Sequence, residues 1–167
     1  MDGEALKSLQ APLKSRYRET PDAALITLKA EGRLGEGVTC SVTTARALVD
    51  AGLHPATGGD GLHVCSGDML LQALVACAGV TLNAVATALG IPVGEARVRA
   101  EGDLDFRGTL GVDRNATVGF RAIRLDFDLD GGLSEDQRAT LLKLTERYCV
   151  VYQTLTSAPG VTAKING

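Results

Sequence analysis

Apolar residues recur along this chain in two rhythms. From Leu25 to Glu31 they alternate, with Ile26, Leu28 and Ala30 on one side and Thr27, Lys29 and Glu31 on the other, the signature of a half-buried strand. A turn is expected over Gly32 to Gly37, after which Val38, Cys40 and Val42 share one face of a second strand. Ala96, Val98 and Ala100 oppose Arg97, Arg99 and Glu101, and Leu104 and Phe106 extend the apolar row past Gly102. The chain returns from Phe120 to Leu129, with Ile123, Leu125, Phe127 and Leu129 against Arg124, Asp126 and Asp128. These two runs predict a long antiparallel pair with one wet face. Val161, Ala163 and Ile165 predict a closing strand.

The helical rhythm fills the gaps. Ala5 to Arg18 reads as a helix polar on most faces, ended at Glu19-Thr20-Pro21. The segment His54 to Gly61 is a loop by composition and leads to Cys65-Ser66-Gly67-Asp68. There Ser66 is suited to cap a helix and Asp68 to complement its dipole. That helix runs to Leu89 and stops at Gly90, with Pro92 beyond. Ser134-Glu135-Asp136-Gln137 has the form of a capping box, opening a helix to Arg147 with Cys149 just after it. The order predicts an α+β protein in a single domain over residues 1–167.

Composition narrows the function. A net charge of −3 and a pI near 5.4 argue against a nucleic-acid partner, and 4% aromatics with no Trp leave no stacking platform. Of the four cysteines none forms a CxxC pair, and Met1 to Leu13 shows no basic segment followed by an apolar run. The expected setting is the cytoplasm, where thiols stay reduced. Met69 to Leu89 is the most apolar stretch, but Gln72, Thr81, Asn83 and Thr87 interrupt it and no basic flank follows, so a buried helix rather than a membrane span is expected. A helix apolar nearly all round must be covered on every side, which predicts a tightly interlocked homodimer. His54, His63 and Cys65 match no zinc spacing, and Gly58 to Gly61 lacks the Lys-Ser/Thr of a phosphate loop, so neither a metal nor another cofactor is expected.

The run Ser66-Gly67-Asp68-Met69-Leu70-Leu71-Gln72-Ala73-Leu74-Val75-Ala76-Cys77 resembles the central-helix signature of the OsmC/Ohr-like family, the osmotically inducible and organic hydroperoxide resistance proteins. Glu101 to Gly108, Gly119 to Ile123, Leu133-Ser134 and Glu146-Arg147-Tyr148-Cys149 resemble its later elements in order. The likeness covers residues 66–165, while 1–65 diverge. It implies long apolar helices packed against antiparallel sheets in an intertwined homodimer. It also implies a thiol peroxidase that takes an organic hydroperoxide and an external dithiol reductant, with Cys77 attacking and Cys149 resolving. The family's supporting Glu has only Asp68 to stand in for it here, and no Arg matches by motif, leaving Arg16, Arg18 and Arg46 unranked. The family's Pro after the second cysteine is Val150 here, and Tyr152 adds bulk nearby.

Read without the resemblance, Cys77 has Leu70, Ala73, Leu74 and Thr81 on its face and looks like core filler. Cys65, just ahead of the helix, is a rival nucleophile because helix N–H groups depress thiol pKa values. Two other functions use the same fold: a non-catalytic dimer binding a small apolar ligand, and a redox sensor without turnover.

Overall fold

In the computed structural model, which describes residues 3–34, 40–42, 51–62, 64–130 and 132–165, the alternating segments pair into one antiparallel sheet. Its strands are β1 (Leu25–Leu34), β2 (Cys40–Val42), β3 (Ala96–Asp105) and β4 (Phe120–Leu129), in the order β2-β1-β3-β4. β1 runs further than its alternation suggested. Gly32, Arg33 and Leu34 pair with Val42, Ser41 and Cys40, so the expected turn begins later. Val38, Arg46 and His63 lie outside the described residues, and so does the side chain of Cys40.

Alternation along β3 buries Ala96, Val98, Ala100 and Leu104 on one face. The opposite face is charged: Arg124 lies 2.6 Å from Asp103 and 3.5 Å from Glu101, Arg99 lies 2.6 Å from Asp128, and the Thr27 hydroxyl donates to Asp103 at 2.7 Å. These exposed pairs order the face more than they stabilise it.

The helices are α1 (Gly3–Glu19), α2 (Ser66–Leu89), α3 (Phe106–Thr109), α4 (Glu135–Tyr148) and α5 (Val150–Thr156). α2 lies across the apolar face of the sheet, where Leu71, Leu74, Val75 and Ala78 bury against Val98, Ala100, Leu104 and Phe106. It is the one described helix long and apolar enough to cross a membrane, and its contacts with β1, β3, α4 and α5 are those of a core helix. Cys65 rather than Ser66 precedes its first turn, and no side chain caps it. Gly90, at φ 65°, closes it in a conformation that costs glycine little. The capping box of α4 forms as expected, with Ser134 Oγ accepting from the Gln137 N–H and Gln137 Oε1 from the Ser134 N–H.

α1 docks through Tyr17, whose hydroxyl donates to the Ala56 carbonyl at 2.5 Å, and Gln10, which donates to the Thr57 carbonyl at 3.2 Å. The loop they grip folds tightly: a Cβ at Gly59 would overlap the Leu53 carbonyl.

Two features depart from expectation. α5 follows α4 directly after Cys149, where no further helix was expected. The closing strand does not form: 158–165 has no regular structure, with Val161 86% and Ile165 102% exposed. Alternation says which side of a strand would be buried, but pairing needs a partner edge, and this segment meets none among the described residues.

Leu71 is fully buried between α2 and the sheet. Leu71→Ala should lower stability by about 2–5 kcal/mol in chemical denaturation at fixed protein concentration, since the cavity cannot collapse around a helix held on several sides.

Candidate active site

Cys77 stands in the middle of α2, at the border between its buried face and a row left uncovered in this chain. Cys149 ends α4 and begins α5, and is 1% exposed. Its N–H donates to the Thr145 carbonyl at 2.9 Å, closing the first helix. Its sulfur accepts from the Tyr152 N–H at 3.4 Å, capping the second. Serine, threonine, aspartate and asparagine are the usual residues at such a position, so a cysteine there gives no sequence signal of a helix start.

This elbow brings the start of α5 onto Cys77. Burial opposes ionisation of Cys77, while the nearby Val151 N–H, Cys149 thiol, Val150 N–H and Thr81 hydroxyl favour it, and the net effect is a pKa below that of an ordinary thiol. Cys149 moves the other way. Burial raises it most, the Tyr152 N–H opposes this, and the adjacent Cys77 sulfur raises it again, to about 11. The two thiols are therefore an unequal pair, in which ionisation falls on Cys77 before Cys149. The groups that favour this are neutral dipoles; none of them is a cation.

The other candidates stand apart from this pair within the chain. Asp68 precedes Cys77 by nine residues, which places it about half a turn round α2 and about 13 Å along its axis. The pKa of its carboxyl is raised by burial, against which the neighbouring His54 acts. Cys65 is about 18 Å from Cys77 along the helix direction, so the two are not neighbours within one chain. His54 is a loop residue here: its Nδ1 accepts from the Ala56 N–H at 3.0 Å and its ring stacks on Phe106 at 5.1 Å. Arg16 and Arg18 belong to the last turn of α1. Among the described residues no group of three or more His, Cys, Asp or Glu is placed to hold a metal ion.

Sequence reasoning missed the backbone of Val150 and Val151 as part of the site. It placed Thr81 on the face of Cys77 without giving it a role. The spacing of Thr81, one turn after Cys77, was the available signal.

Iodoacetamide at neutral pH should label Cys77 well ahead of Cys149, as site-resolved mass spectrometry would show, because only the thiolate reacts. Val150→Pro keeps a residue suited to a first helical position while removing its N–H, and should slow labelling of Cys77.

Among curated protein sequences none matches the chain closely. A crystal structure of an OsmC-like hydroperoxide resistance protein from Jannaschia sp. CCS1 is similar with a TM-score of 0.62 and 15% identity, over 86% of this chain and 95% of that one. A crystal structure of an OsmC-like protein from Mycoplasma pneumoniae is similar with a TM-score of 0.56 and 17% identity, over 80% of this chain and 86% of that one. At those identities the likeness is one of fold: helices with an antiparallel sheet, α2 against its inner face. The family described as OsmC-like protein matches residues 58–164, a span that holds α2, β3, β4, both helices of the elbow and both cysteines, and to that family this chain belongs.

Proposed function

We propose that the protein is a thiol-dependent peroxidase that reduces organic hydroperoxides through Cys77 and Cys149. The observation that supports this most is the hydrogen-bonded pair itself, in which one sulfur is eased toward the thiolate and its neighbour is kept protonated. The name of the Jannaschia protein, a hydroperoxide resistance protein, agrees with this reading.

The reaction balances on these two residues. The Cys77 thiolate attacks one peroxide oxygen, the O–O bond breaks, and the departing alkoxide takes a proton to leave as an alcohol. Cys77 is then a sulfenic acid, oxidised by two electrons. The Cys149 thiol condenses with it, forming the S–S bond and releasing water. An external dithiol returns the pair to two thiols by exchange and becomes a disulfide itself. A reducing compartment such as the cytoplasm would supply that dithiol. A redox sensor would use the same steps without rapid turnover.

The reading includes a homodimer. α2 leaves Met69, Leu70, Ala73 and Val80 exposed at the helical spacing of a single stripe, with Cys77 on its border. A second copy of α2 is a fitting cover for a stripe of this length and chemistry. One observation favours a ligand-binding reading instead: a cleft of about 270 Å³ lined by Leu82, Leu125, Phe127, Leu129 and Leu141, apart from the thiols.

Incubation with cumene hydroperoxide and a dithiol should show peroxide loss for the parent, near-complete loss of rate for Cys77→Ser, and accumulation of over-oxidised Cys77 in Cys149→Ser by intact mass. Absence of turnover above free dithiol in the parent would sink the peroxidase reading and leave the ligand-binding one. For the dimer, Val80→Asp should shift the species from two chains to one in sedimentation equilibrium; an already monomeric parent would refute it.

A further inference from the structure

α5 has seven residues, too short to hold its own shape in water. Its cap is a sulfur, a weak acceptor at 3.4 Å. At its start Val150 is 71% exposed, so burial does not fix that end either. Yet the start of α5 packs on α2 beside Cys77, and its N–H groups favour ionisation of that thiol only while it stays there.

One side chain supplies what the cap and burial do not. Tyr152 packs its ring against the core and its hydroxyl donates to Glu146 Oε1 at 3.1 Å, across the elbow on the last turn of α4. Its own N–H is the donor to Cys149. The neighbouring Gln153 amide donates to the Glu146 backbone carbonyl at 2.8 Å, one of the carbonyls that a helix end leaves unpaired. Tyr152 therefore ties α5 both to α4 and to the second thiol. Arg147, on the same turn, lies over the ring of Tyr148 at 5.6 Å. The titratable groups at the elbow are thus Cys77, Cys149, Glu146 and Tyr152.

We propose that Tyr152, anchored by Glu146, is a positioning residue for Cys77: it fixes the angle of the α4–α5 elbow and so holds the start of α5 against α2 beside Cys77. The inference deepens the peroxidase reading by naming what regulates the same thiol. Tyr152 touches no reacting atom of Cys77 and acts through the backbone that follows Cys149.

The test is the pH profile of Cys77 alkylation by iodoacetamide, resolved by mass spectrometry, in the full-length parent, Tyr152→Phe, Glu146→Gln and Glu146→Ala. Removing the hydroxyl alone should slow Cys77 labelling at neutral pH by about threefold to tenfold, the range expected for loss of one hydrogen bond's influence. At alkaline pH, where the thiol is fully ionised, Tyr152→Phe and parent rates should converge. Glu146→Gln keeps an acceptor at Oε1 and should retain more of the parent rate than Glu146→Ala. A Tyr152→Phe profile that superimposes on the parent's, with only the melting temperature lowered, would overturn the proposal and leave Tyr152 a packing residue. Alkylation needs no peroxide, so a parent that fails to turn over hydroperoxide would remove the peroxidase reading while this measurement still decides the role of Tyr152.

Discussion

The constraint from which the rest follows is that α2 is apolar on nearly every side and has one sheet to lie on. β1 and β3 take one flank, with Leu71, Leu74, Val75 and Ala78 sealed against Val98 and Ala100. α4 takes another through Leu82 and Leu141. α4 ends before it reaches the middle of α2, and the chain turns at Cys149 to lay α5 there instead. The thiol pair is a product of that turn. A longer, straight α4 would carry Cys149 past Cys77 and present side chains, not N–H groups, to its sulfur.

Much of this was legible in the residues. Alternation located β3 and β4, Gly90 located the end of α2, and Ser134 with Gln137 located the start of α4, because each follows from local sterics or a local hydrogen bond. The cysteine pairing was not legible in that way. It was anticipated through the family's pattern, since nothing local relates two residues so far apart in sequence. α5 escaped because its cap is a sulfur and its first two residues, Val150 and Val151, are β-branched and weak helix formers. The tail after Ser157 misled for the opposite reason: its alternation is clear, and it pairs with nothing among the described residues. Within one chain, helical geometry sets Asp68 about half a turn round α2 from Cys77, beside His54.

The chemistry of the pair rests on dipoles in a partly buried place. The resemblance brings a Pro after the second cysteine, a residue with no N–H to give. Val150 has one, and it favours ionisation of Cys77. A departure that looked like a loss in the sequence therefore adds a donor in the structure. Burial cuts both ways in such a site: it penalises the thiolate, and it strengthens each hydrogen bond that the thiolate receives. The balance falls toward ionisation for Cys77, with four donors, and away from it for Cys149, which is almost wholly enclosed.

The first turn of α5 starts on sulfur: the Tyr152 N–H donates to Cys149, and the Val150 and Val151 N–H groups lie where they favour ionisation of Cys77. A helix ordinarily begins on an oxygen that takes no part in chemistry. This one begins on the two atoms that a sulfenic acid and a disulfide would consume, and a bridged sulfur is a poorer acceptor than a thiolate. Each oxidation would thus withdraw the footing of α5 and each reduction restore it.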